Sequence, residues 1–237
     1  MANLEIQAAV AKIGKYATSE SGDTVEMVER PHGGISLVVV DGQRSGRSAK
    51  IISNLVARKA LSLLAEGVRD GAVARATHDY LRTHRGGKVS AELNIVSVDL
   101  TTQTLVISRN SRCPILLRQA GEYRWLTDSS EAVGIYPNTK PAITEVPLSE
   151  GLAVAVFTDG ILGAGSHSQQ QMDVEAVVAQ IEAEGESSAQ ALADGVLSAA
   201  LALDKGRAQD DCTVLVVMLA PNKRGDDIRR LAVSFPI

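Results

Sequence analysis

The chain has 237 residues and a formal net charge of −4, and its apolar content of 45% includes only 3% aromatics. That length suits one large β-containing domain whose core is packed by Leu, Val, Ile and Ala. The mild acidity, with no Lys/Arg run, excludes a general nucleic-acid binder, because phosphate neutralisation needs a basic surface.

The first residues, Met-Ala-Asn-Leu-Glu-Ile, lack the basic stretch and apolar core of a signal peptide. No apolar run approaches a membrane span, so a cytoplasmic, soluble protein without membrane contact is expected. Residues 5–17 and 24–29 alternate apolar with polar positions as strands do, and Pro31-His32-Gly33-Gly34 supplies a hairpin turn before a buried strand from Ile35 to Val40. Apolar residues from Ile51 to Leu64 then recur at helical spacing, which predicts a helix over about 47–66, with Ser45 or Ser48 as its cap. A second helix is predicted over about 72–82, before Gly86-Gly87.

The middle of the chain changes period. Short strands are predicted at 93–98, 105–107, 115–117, 123–126 and 152–157, in a meander that implies antiparallel sheet. Two helices, about 173–184 and 188–203, precede a last strand at 213–219. Strands in runs and helices in pairs indicate a layered α+β fold, not alternating βαβ units. The two cysteines, Cys113 and Cys212, lie beside strands without metal-ligand spacing and read as buried thiols of a reducing compartment. The domain is expected to span 1–220, leaving 221–237 as a tail that docks on the body or on a partner.

Carboxylates punctuate the ends of the apolar runs. Asp23 follows Ser21-Gly22, Asp41-Gly42 closes Val38-Val39-Val40, Asp159-Gly160 follows Val156-Phe157-Thr158, and Asp210-Asp211 opens the last strand. Taken singly, an Asp-Gly pair is a common turn signal. Several acids ending core strands can instead share one place, and hard cations such as Mg²⁺ and Mn²⁺ favour such oxygen ligands. Glycine after the aspartate would let a carbonyl oxygen approach an ion, and the lack of a His/Cys ligand set disfavours zinc. The four histidines, His32, His78, His84 and His167, are scattered and read as surface or satisfied groups. Ser21 and Ser45 lack a His/Asp pairing and read as loop formers or caps.

The ordered series Ser21-Gly22-Asp23, Val40-Asp41-Gly42, Thr158-Asp159-Gly160 and Asp210-Asp211-Cys212-Thr213 resembles the PPM family of metal-dependent serine/threonine protein phosphatases, in its SpoIIE-like bacterial branch. Leu93-Asn94-Ile95 is similar to the family's central strand, Arg109 to Ile115 stands where the branch often carries Asn-Ala-Gly-His-Pro, and Gly134-Ile135 resembles its Leu-Gly-Ile segment. The resemblance implies a four-layer αββα sandwich of two antiparallel sheets flanked by helices. It also implies two Mn²⁺ or Mg²⁺ ions, with a third as a further option. Asp41 would bridge the two ions, with Asp23 and the Gly42 carbonyl on one side and Asp159 and Asp210 on the other. Asp211 is the alternative to Asp210, and otherwise a hydrogen-bond acceptor at the strand start.

The implied activity is hydrolysis of phosphoserine or phosphothreonine by a metal-activated water, with Asp41 and Asp159 as the catalytic acids. The implied substrate is a phosphorylated bacterial regulatory protein, of the anti-sigma antagonist or stressosome type, and the implied enzyme is a stand-alone unit. One segment departs from the branch: Gln43-Arg44-Ser45-Gly46-Arg47-Ser48 replaces a Gly-His-Gly-like stretch, which bears on substrate choice. Two other classes stay open. One is a pseudophosphatase that binds a regulatory protein, which would hold metal weakly or not at all; the other is a two-metal nuclease or small-molecule phosphatase, which a substrate panel would separate.

Overall fold

A computed structural model describes residues 4–185 and 187–236. Residues 1–3 of the expected domain, residue 186, and residue 237 at the end of the expected tail lie outside the described residues. In chain order the elements are β1 (Leu4–Ile13), β2 (Thr24–Glu29), β3 (Gly34–Gly42), α1 (Gly46–Ala65), α2 (Asp70–Arg85), β4 (Ala91–Asp99), β5 (Thr104–Asn110), β6 (Ile115–Gln119), β7 (Glu122–Leu126), β8 (Ala142–Pro147), β9 (Ala153–Phe157), α3 (Asp159–Leu162), α4 (Val174–Ala183), α5 (Ala189–Leu203) and β10 (Cys212–Pro221).

The strands form two five-stranded sheets, ordered β1-β10-β9-β6-β7 and β2-β3-β4-β5-β8. Every pairing within them is antiparallel. Alternation sorts the side chains into layers. Leu37, Val39, Val96, Val98, Leu105 and Ile107 of one sheet meet Leu117, Val154, Val156, Leu215 and Val217 of the other in a central core. The opposite face of the first sheet, through Val38, Val40, Leu93 and Ile95, packs on α1 and α2. The opposite face of the second, through Ala155, Phe157, Val214 and Val216, packs on α4 and α5. Helix, sheet, sheet and helix therefore stack as the expected four-layer α+β sandwich. Strands covered on both faces must be apolar nearly throughout, which is why β3, β9 and β10 read as continuous Val-rich runs.

Most predicted elements stand where the periodicity placed them, and two were not legible. β8 has alternate exposed positions at Ile143 and Glu145 and lies at a sheet edge, so its hydrophobic signal is weak. α3 is a single turn directly after Thr158. Ser45 does occupy the N-cap of α1 but its hydroxyl makes no capping bond, and helix α2 begins two residues before the predicted start. The reason for that earlier start is a buried anchor. Asp70 pairs with Arg30 at 3.1 Å, and both Asp70 and Arg30 reach the hydroxyls of Ser36 or Ser97 on the sheet beneath.

Cys113 and Cys212 are buried and free. Trp125 packs edge-on against Phe157 and donates its indole N–H to Glu175 at 2.8 Å. Among the described residues no helix is long and apolar enough to cross a membrane. Beyond β10, residues 222–236 form neither helix nor strand, and Ile228, Leu231, Val233 and Phe235 are exposed. Arg229 ties this segment to Glu29 of β2.

Candidate metal centre

The sandwich brings its strand-end acids to one edge. Asp41 and Gly42 end β3, Asp159 follows β9, Asp210 and Asp211 precede β10, and Glu92 lies near the start of β4. All six residues line an open cavity of about 440 Å³, together with Lys15, Gln43, Arg44, Arg112, Glu131, Ile135 and Tyr136. The predicted Asp23 lies behind this wall and is fully buried.

Asp23 is held on all sides but one. Its Oδ2 accepts the hydroxyls of Thr213 at 2.5 Å and Thr158 at 3.0 Å, and its carbonyl accepts both the Lys12 and Lys50 ammonium groups at 2.6 Å. Its Oδ1 is buried and unpartnered. Burial pushes this carboxyl up to about 6, against the opposing pull of the Thr213 hydroxyl. A buried carboxylate oxygen without a donor calls for a cation, since desolvating it is otherwise a net cost.

Asp210 and Asp211 differ although they are adjacent. Asp211 spends both oxygens on backbone amides, Oδ1 on Lys15 at 2.9 Å and Oδ2 on Gly22 at 2.7 Å. It thereby fastens the loop that carries Asp23. Asp210 accepts the Asp211 amide at 2.9 Å through Oδ1.

Electrostatics describe a cavity with too much negative charge. Burial first, and then Asp23, Asp159, Glu92 and Asp210 in turn, push the Asp41 carboxyl up to about 9. Asp159 is open to solvent on its cavity side, yet the surrounding protein and Asp210 and Glu92 still raise it. Like charges at one edge disfavour ionisation unless a cation enters. Among the described residues no three His, Cys, Asp or Glu side chains already close around one point. An open, oxygen-only wall suits a hard cation that keeps several waters and takes few carboxylates, so donor chemistry and charge both fit Mg²⁺ or Mn²⁺.

The glycines beside two of the acids also have a packing reason. A Cβ on Gly42 would stand 2.1 Å from the Ala49 carbonyl oxygen, and one on Gly160 would stand 2.2 Å from that of Asp211. Close backbone packing requires glycine at both places. The departing segment is pinned to the approach to β4: the Gln43 backbone N–H donates to the Ser90 carbonyl and the Ser90 N–H donates to the Gln43 side-chain Oε1, both at 3.2 Å. Arg44, at φ +75°, lines the cavity, whereas Arg47 is exposed outside it.

Sequence reasoning missed Glu92 and Arg112. Glu92 could have been noticed as an acid opening an otherwise apolar strand, the mirror of Asp41 closing one. Arg112 carries no such signal; only the turn between β5 and β6 brings it to the cavity.

This sandwich with acids at its edge is the fold of PPM-type protein phosphatases. The chain belongs to the family described as Stage II sporulation protein E (SpoIIE), which it matches over residues 31–220. No curated protein matches it in sequence. Among solved structures it is similar to the PP2C phosphatase domain, with a fragment of the regulatory domain, of SpoIIE from Bacillus subtilis (TM-score 0.77, 18% identity, 94% of this chain and 65% of that one). It therefore spans somewhat less than two thirds of that chain. RsbX in complex with magnesium is also similar (TM-score 0.69, 16% identity, 93% of this chain and 100% of that one). So are the RsbU and RsbW domains of a Mycobacterium tuberculosis protein (TM-score 0.71, 19% identity, 93% of this chain and 61% of that one).

Proposed function

We propose that this chain is a cytoplasmic, Mn²⁺- or Mg²⁺-dependent phosphoprotein phosphatase acting on phosphoserine or phosphothreonine of a regulatory protein. The observation that carries this is the convergence of Asp41, Glu92, Asp159 and Asp210 on one cavity of a SpoIIE-family fold. Asp41 would bridge two ions, Gly42 would offer its carbonyl and Asp23 its free Oδ1 on one side, and Asp159 and Asp210 would serve the other. Asp211, with both oxygens engaged, supports the site by holding the Lys15–Gly22 loop and is not assigned as a ligand. Bound divalent ions supply Lewis acidity for phosphoryl transfer and acidify water.

The chain's own groups prepare that chemistry. Thr158 and Thr213 orient Asp23, and the like-charged wall keeps Asp41 and Asp159 poised to accept a cation in place of protons. A regulatory phosphoprotein of the anti-sigma antagonist or stressosome type is the substrate we favour. Support comes from the neighbours, one of which joins an RsbU to an RsbW domain and another of which is described as a cell fate determinant. The test is phosphate release from an aryl phosphate and from phosphoserine and phosphothreonine peptides, with Mn²⁺ or with chelator. Metal-dependent turnover, abolished in Asp41→Ala and in Asp159→Ala, is expected. Full turnover in chelator, or in either variant, would sink the reading.

A further inference from the structure

We propose that Arg112 receives the phosphoryl group of the substrate and that Glu92 is the residue that positions it; this rests on the phosphatase reading. A phosphorylated side chain entering a cavity walled by carboxylates needs cations of the protein's own, besides any ion, to approach. Three side chains of the wall are cationic: Lys15, Arg44 and Arg112.

Of these three, Arg112 combines a braced base with a loosely held head. Glu92 accepts the Arg112 backbone N–H at 3.0 Å through Oε1 and the Ser111 hydroxyl through Oε2, while the Cys113 N–H donates to Ser111 Oγ at 3.0 Å. From the other side, the Asn110 side-chain amide donates to the Glu131 carbonyl at 2.9 Å. The turn between β5 and β6 is thus clamped, and its clamp is the residue that faces Asp41 across the β3–β4 ladder. The side chain, by contrast, is 74% exposed, and among the described residues its guanidinium meets only the half-exposed Glu131 carboxylate, at 3.3 Å. An exposed pair of this kind contributes little, so it can be exchanged for a stronger partner. A phosphoryl dianion is that partner, because it matches the guanidinium fork with two parallel charge-assisted bonds that an ammonium cannot reproduce. Glu131 then holds Arg112 at the cavity mouth between turnovers.

The experiment uses the full chain with Mn²⁺ and an aryl phosphate, and inorganic phosphate as the competing anion. Arg112→Ala is expected to raise KM and the phosphate inhibition constant about tenfold each with kcat changed less than about twofold, and Arg112→Lys to recover part of both. With Mn²⁺ held saturating for each variant, so that the loss of one wall carboxylate does not enter, Glu92→Gln should raise KM in the wild-type background and add nothing further once Arg112 is Ala, which a merely structural role for Glu92 would not produce. An unchanged KM and phosphate constant in Arg112→Ala, or additive effects of the two variants, would overturn the inference while leaving the phosphatase reading intact. If the wild-type chain shows no metal-dependent turnover, that reading falls, and the phosphate-induced shift in melting temperature decides the inference alone. A shift lost in Arg112→Ala upholds the anion site; no shift in the wild type refutes it.

Discussion

Asp41 and Glu92 stand directly opposite each other where β3 pairs with β4, so two neighbouring strands deliver two carboxylates to the same edge. Burial first, and then the charges of Asp23, Asp159, Glu92 and Asp210, raise the Asp41 carboxyl from the ordinary 3.8 to about 9. A carboxyl raised on folding contributes stability that is fully present below its unfolded value and is lost as pH rises through its folded value. Chelator-treated protein should therefore lose stability progressively between about pH 4 and about pH 9. Because Mn²⁺ competes with those protons, its stabilising shift should grow with pH. Melting temperatures with and without Mn²⁺, taken at about pH 6 and about pH 8.5, check this. An equal shift at both would contradict it.

Neighbouring acids should separate by phenotype. Asp211→Asn leaves one acceptor oxygen where the Lys15 and Gly22 amides now have two, and is expected to cost about 1–3 kcal/mol in urea unfolding. Asp210→Asn should leave unfolding almost unchanged but reduce Mn²⁺ binding and metal-dependent turnover. Calorimetric titration of Mn²⁺ together with the unfolding midpoints decides. The reverse pattern would transfer the ligand role to Asp211.

Close packing at Gly160 makes a distinct prediction. An added Cβ would meet the Asp211 backbone 2.2 Å away, so Gly160→Ala must separate β9's end from β10's start and with them Asp159 from Asp210. Displacement on the scale of an ångström is expected to cost turnover about a hundredfold. Steady-state rates measure this, with circular dichroism confirming that the sandwich persists.

Away from the cavity, Arg30 and Asp70 form a buried pair that fastens the start of α2 to the sheet. Removing one partner strands the other charge, so Arg30→Ala should destabilise by about 3–5 kcal/mol. Activity per folded molecule should stay near the wild-type value below the melting transition. Guanidinium unfolding and rates at low temperature test the two halves of this statement.

How much could be read from the chain is clearest at particular residues. Val38-Val39-Val40 and Val214 to Val217 could be assigned as core strands because continuous Val-rich apolar runs suit a strand buried in the core. Ile51 to Leu64 had to be a helix by period. β8 escaped because an edge strand needs only alternate apolar residues, and α2's true start escaped because Asp70 pairs with a residue forty positions earlier. Ser45 stands at the N-cap of α1 as its residue type suggested, yet its hydroxyl makes no capping bond, and the turn before it carries a positive φ at Arg44.

The acids themselves follow the same division. Their places at the ends of apolar runs are a local property, set by period and punctuation, so Asp23, Asp41, Asp159 and the Asp210-Asp211 pair could be named from the chain alone. Which oxygens remain free is a long-range property. Asp211 is consumed by amides nearly two hundred residues away, Asp23 keeps Oδ1 bare while Thr158 and Thr213 hold its Oδ2, and Glu92 and Arg112 join the cavity through the β3–β4 register and the turn after β5. Pairings between distant segments leave no mark in the local pattern; packing two sheets face to face creates them.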